Sequence, residues 1–88
     1  MSCFHREMLP PPLEYYARQG YVFQGNAEWQ SVRCPFHDDG QPSLRLNLET
    51  GGFFCHGCGA KGGDVLDFHR KLFSLSFVAA AKALGAWR

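Results

Sequence analysis

Cys34-Pro35-Phe36-His37 and, seventeen residues later, Cys55-His56-Gly57-Cys58 are the stretch whose reading decides this chain. Two pairs of potential ligands, each with a two-residue gap, face each other across the length of a short hairpin. A gap of two lets both side chains of a pair turn toward one ion while the backbone reverses between them, and thiolates with an imidazole suit a tetrahedral zinc centre. The predicted ligands are Cys34, His37, Cys55 and Cys58.

The competing readings of these residues are weaker. A single Cys pair is often buried or redox-active, but a second pair at hairpin distance, with Gly57 and Gly59 where a knuckle turn needs permissive backbone, points to metal. A disulfide framework belongs to secreted chains, and a thioredoxin-like pair needs a βαβ context that the sequence lacks. Four protein ligands close the coordination sphere, so the expected metal is one structural Zn2+ and not a catalytic one.

Eighty-eight residues make one small domain, a size at which a metal commonly supplements a modest apolar core. No apolar run is long enough to span a bilayer, and the first residues lack a secretory signal. A cytoplasmic chain without a membrane partner is expected, in a compartment that keeps the thiols reduced. Net charge is +1 with neutral thiols, so bulk charge does not announce a nucleic-acid binder. The distribution is less even: from residue 57 onward Lys61, Arg70, Lys71, Lys82 and Arg88 face only Asp64 and Asp67. Such an imbalance is either an electrostatic footprint or an ordinary solvated face.

Working outward, residues 1–9 carry no usable periodicity and are expected to form a flexible N-terminus, with residues 10–88 as the single domain. Cys3 and His5 lie far in sequence from a ligand set already complete and are read as spectators. After Pro10-Pro11-Pro12, the spacing of Leu13, Tyr16 and Ala17 predicts a short amphipathic helix closed by Gly20. Residues 21–24 and 28–33 read as two strands around a Gly25-Asn26 turn. Residues 38–42 form a polar turn, in which the adjacent acids Asp38 and Asp39 serve as turn residues. Ser43 to Leu48 then alternate with period two, sending Leu44, Leu46 and Leu48 to the core and Ser43, Arg45 and Asn47 to the other face.

Residues 49–52 turn the chain into Phe53-Phe54-Cys55, with Phe53 inward and Phe54 outward. Asp64 is a predicted N-cap for a helix with Val65, Phe68, His69 and Leu72 on one stripe, His69 half-buried there. Ser76 caps a second helix carrying Phe77, Ala80, Ala81 and Leu84, with Gly85 as its stop. No nucleophile, general base or phosphate-loop constellation stands out, and Gly59 to Gly63 lacks the spacing of a P-loop.

These residues together resemble the CHC2-type zinc-binding domain at the N-terminus of bacterial and phage DNA primases of the DnaG type. The likeness runs through Cys34-Pro35-Phe36-His37, Gln41-Pro42-Ser43, Phe53 two positions before Cys55, Cys58-Gly59-Ala60, Gly62-Gly63-Asp64 and Asp67-Phe68. It is close over residues 34–68 and loose over 10–85, and His56 stands where the family often has an aromatic residue. The resemblance implies a small α+β fold: a zinc ribbon with an antiparallel β-sheet, flanked by short helices. It also implies a module that binds single-stranded DNA template in support of primer synthesis during DNA replication. Its partners would be a primase polymerase domain or a replicative helicase. The polymerase domain, of Toprim type, is absent from these residues, so the module is expected to be noncatalytic on its own.

Alternation along the strands places the candidate DNA contacts: Phe54 as an outward stacking surface, with Arg33, Arg45 and Lys61 near the strand and knuckle ends to meet phosphates. The alternative is a zinc-stabilised protein-interaction or regulatory domain that has kept the fold and lost the DNA surface.

Overall fold

Leu44 and Leu46, alternating with Arg45, become the strand on which the sheet is built. The computed structural model describes residues 2–23, 25–37 and 42–88. Four strands, β1 (Trp29–Val32), β2 (Leu44–Asn47), β3 (Phe53–Cys55) and β4 (Lys61–Gly62), form one sheet in the order β1-β2-β3-β4. All three pairings are antiparallel. Leu44, Leu46 and Phe53 are buried on its inner face, and Leu48 packs partly buried against the same core.

Among the described residues the α-helices are α1 (Pro12–Arg18), α2 (Val65–Phe73) and α3 (Phe77–Ala83). Helices α1 and α2 bury Tyr15, Tyr16, Val65 and Phe68 in one core with the sheet, while α3 packs Ala80 and Ala81 against Leu66 of α2 in a second cluster. The Asp64 carboxylate caps α2 by accepting the Asp67 amide at 2.9 Å, and Ser76 Oγ caps α3 by accepting the Ala79 amide at 3.1 Å. Each satisfies a backbone donor that the first helical turn leaves without an internal partner. Phe68 on α2 is the hub of the core. Its ring centroid lies 5.0 Å from Tyr16, 5.1 Å from Phe53 and 5.2 Å from Phe36. Helix, sheet and first ligand turn therefore share one aromatic cluster, in the edge-on and tilted arrangements that ring quadrupoles favour. The outcome is the small α+β zinc-ribbon architecture that the resemblance implies.

Several expectations need correction. The segment 21–24 was expected to pair with 28–33; Tyr21, Val22 and Phe23 form no strand, and Gln24 lies outside the described residues. β1 takes β2 as its partner, with Val32 opposite Leu44, while the Tyr21 ring packs toward Phe68 and Phe23. The Gly25-Asn26 turn does form. On α1 the predicted stripe of Leu13, Tyr16 and Ala17 is rotated: Tyr15 and Tyr16 are buried, Leu13 is 52% exposed and Ala17 is exposed. Two aromatic rings bury more area than Leu and Ala, and both phenols find partners. Tyr16 Oη donates to the Gly51 carbonyl at 2.6 Å, and Tyr15 Oη lies 2.7 Å from His69 Nδ1. Phe77, predicted to face the core, stays over a third exposed and packs edge-on against Phe4 at 5.0 Å.

Where a loose N-terminal arm was expected, the structure pairs the two ends of the chain. Phe4 bridges to Trp87, His5 N donates to the Ala86 carbonyl at 2.8 Å, and Cys3 and Arg88 exchange backbone hydrogen bonds. Arg6 adds an ion pair to Asp64 Oδ2 at 2.5 Å. Ser43 and Asn47 also depart from the outward face predicted for them. Asn47 is buried, its Oδ1 accepting the Glu49 and Thr50 amides at 2.8 Å each, which closes the β2–β3 turn. The turn predicted over residues 38–42 lies outside the described residues apart from Pro42. Among the described residues no helix is long and apolar enough to cross a membrane.

Candidate metal centre and outer sheet face

Two strand ends deliver the ligands. Cys34 follows β1 by two residues and Cys55 ends β3, and both are buried. Each starts a tight turn sealed by the same local bond: the Phe36 amide points at Cys34 Sγ, 3.4 Å away, and the Gly57 amide at Cys55 Sγ, 3.3 Å away. The second ligand of each pair, His37 or Cys58, swings back from that turn. One donor atom from each of Cys34, His37, Cys55 and Cys58 lies within 4.8 Å of every other.

The donor set fits zinc. Cys34 Sγ and Cys58 Sγ are 3.8 Å apart, and His37 Nε2 is 3.3 Å from Cys55 Sγ. A tetrahedron with Zn–S bonds of about 2.3 Å has thiolate–thiolate edges of roughly 3.8 Å. The sulfur separation far exceeds a disulfide bond of about 2.05 Å, and no disulfide joins any of the four cysteines. Zinc held here by three thiolates and an imidazole has no open position, so the chemistry it supplies is cross-linking of β1 to β3. Cys3, His5 and His56 are not part of the cluster.

The electrostatics of the donors differ. Burial pushes the Cys34 thiol up to about 12, with the neighbouring thiols adding to the effect. Burial also acts upward on Cys55, but Ser43 Oγ, the Cys58 and Gly57 amides and His37 together outweigh it and pull the thiol down to about 5. Ser43 Oγ lies 3.4 Å from Cys55 Sγ, a contact that strand alternation had assigned to the opposite face. Gathering three thiolates, those of Cys34 and Cys55 buried, is costly without a cation, which ties metal binding to folding.

The outer face of the sheet holds a second arrangement. In the strand register Ser31 stands opposite Arg45, Arg45 opposite Phe54, and Phe54 opposite Lys61. Directly opposed residues share a face, so Arg45, Phe54 and Lys61 form one row across the sheet. Arg45 is steadied by donating from Nη1 to Ser31 Oγ at 3.0 Å. Phe54 is 40% exposed, with the His56 ring edge-on at 5.0 Å, and Trp29 is 42% exposed. Trp29, Arg45, Phe54 and His56 line one shallow depression. Arg33 is exposed beside Cys34 and does not line it. Trp29 and His56 were missed as members of this face. Trp29 shares strand parity with Ser31, and His56 with Phe54, so alternation contained the signal once the strand register was known.

A family model described as the CHC2 zinc finger matches residues 19–87. The DNA primase of Mycolicibacterium smegmatis is 47% identical over 51 residues, which cover 58% of this chain and 8% of that protein. The Gene 58 protein of Mycobacterium phage D29 is 34% identical over 79 residues, 90% of this chain and 51% of that protein. Among solved structures, the Aquifex aeolicus primase, comprising zinc-binding and RNA polymerase domains, superposes with a TM-score of 0.72 at 25% identity. That match covers 90% of this chain and 20% of that one. The chain thus spans a small fraction of the bacterial primase and about half of the phage protein.

Proposed function

We infer, from the premise that the chain belongs to the CHC2 zinc-finger family, that it binds single-stranded DNA template through the outer face of its sheet and is noncatalytic by itself. The observation that carries this reading is the row of Arg45, Phe54 and Lys61, with Trp29 and His56 beside it. Exposed aromatic rings accept unstacked bases at about 1–3 kcal/mol each, and flanking cations meet the phosphates, which is how sequence-tolerant single-strand binders work. Arg45 is already held by Ser31, so less side-chain freedom is lost on contact.

Primer synthesis would fall to a polymerase domain, with that domain or a replicative helicase as the protein partner. A zinc with four protein ligands cannot activate water. Asp64 and Asp67 are committed to the start of α2, Asp64 to Arg6 and the Asp67 amide, Asp67 to the Gly63 amide. Neither is arranged to hold magnesium and nucleotide phosphates.

The test is a titration of the zinc-loaded chain against a labelled oligothymidylate at several salt concentrations. Phe54→Ala and Trp29→Ala should weaken binding with the salt slope unchanged. Arg45→Ala should weaken it and flatten the slope by roughly one phosphate contact, about 0.7 in log–log terms for a single strand. A folded, zinc-loaded wild type that does not bind even at low salt overturns the reading and leaves the protein-interaction alternative.

A further inference from the structure

Lys61 belongs to two surfaces at once. On the outer face it is the cross-strand partner of Phe54. On the edge of the sheet, where β4 is the last strand, it lines a cleft with Asp67, Arg70, Lys71 and Leu75. Three cations and one carboxylate meet there, Lys61 from β4 and Asp67, Arg70 and Lys71 from α2. The carboxylate is engaged, since Asp67 Oδ2 accepts the Gly63 amide at 3.0 Å. Among the described residues no salt bridge includes Lys61, Arg70 or Lys71.

Lys71 Nζ sits 5.5 Å from the Phe36 ring centroid, over the first ligand turn, and a cation on a ring face keeps its N–H donors. Arg70 contributes Nε to the Leu75 carbonyl at 3.4 Å, which orients the guanidinium without neutralising it. The helix macrodipole favours cations in the last turn of α2. That accounts for Arg70 and Lys71 on their own helix but not for their convergence with a lysine from β4.

We propose that the sugar–phosphate backbone of a single strand stacked on Phe54 continues over β4 into this cleft, where Lys61, Arg70 and Lys71 take successive phosphates. The inference rests on the sheet-face reading and deepens it. It sets the direction of the strand, across the sheet along the row from Arg45 to Lys61, perpendicular to the β-strands and on toward α2. The cleft adds affinity without adding sequence preference, because phosphate contacts carry no base information.

The experiment uses the zinc-loaded chain and labelled oligothymidylates of increasing length over a range of salt. Arg70→Ala combined with Lys71→Ala should keep one zinc per chain and a cooperative unfolding transition and weaken binding of the longer oligonucleotides. Its log–log salt slope should fall by roughly 1.4, two phosphates at about 0.7 each. Lys82→Ala, an exposed cation on α3 that does not line the cleft, should bind as wild type. As a measurement independent of any variant, neutral methylphosphonates at one end of the oligonucleotide should reproduce the lost slope on the wild type. If the double variant keeps the wild-type slope while Phe54→Ala still weakens binding, the cleft inference is overturned and the sheet reading stands. Equal losses from Lys82→Ala overturn the cleft as a defined site. A wild type that binds nothing overturns both.

Discussion

Gly57 and the ring of His37 are separated by the space of one missing carbon: a Cβ on Gly57 would stand 2.8 Å from His37 Cε1 and 2.9 Å from Nε2. The backbone there is not in the left-handed region, unlike Gly59 with φ 78°, so what Gly57 supplies is close approach. Gly57→Ala should displace the only imidazole ligand and lower zinc affinity by about tenfold or more, the range typical of residues that orient ligands. Competition with a chromophoric zinc chelator measures it. Unchanged affinity would mean that the turn yields and the contact is not what seats His37.

Cys58→Ser removes one thiolate from a closed site, and in a domain this small metal-binding energy is largely folding energy. The variant, like the chelated wild type, should lose cooperative unfolding. His56→Ala and Cys3→Ser should each retain one zinc per chain by elemental analysis, because neither residue is among the four convergent donors. Loss of zinc in either would contradict the ligand set.

Phe68→Ala should be among the most damaging core substitutions. Its fully buried ring touches the rings of Tyr16, Phe36 and Phe53, and such truncations cost about 3–5 kcal/mol through lost burial and the cavity left behind. Urea unfolding of the zinc-loaded protein is the measurement. Because Phe36 lies inside the first ligand turn, the variant should also release zinc faster; slow release with full destabilisation would show that the core and the knuckle are uncoupled.

Burial holds the His69 imidazole below its usual value of 6.5. As pH falls through about 6.5 the unfolded chain therefore takes up this proton before the folded chain does. The contribution to stability is fully present above that pH and declines below it. Protons also compete with zinc for the thiolates, so the comparison is wild type against His69→Gln at the same free zinc. The variant should lose less stability on mild acidification, read from urea midpoints. A wild type that gains on the variant as pH falls would reverse the sign and refute the assignment.

The four ligands, the alternation of Leu44 and Leu46, and the caps Asp64 and Ser76 were legible in the chain because each depends on neighbours within a few residues. A two-residue gap between ligands, a period of two along a strand, and a side chain reaching the amide three positions ahead are set by local backbone geometry. The pairing partner of β1, the buried face of α1, the joining of Phe4 to Trp87 and the row from Arg45 to Lys61 were not legible in this way. Each is decided by contacts far apart in sequence: Tyr15 turns inward toward His69 and Phe68, and Arg6 is drawn to Asp64. Helix rotation and strand register follow the largest apolar area that can be buried with every polar tip partnered. Only the assembled tertiary structure settles that balance, because the surfaces that compete for Tyr15 or for β1 do not exist until distant segments have met.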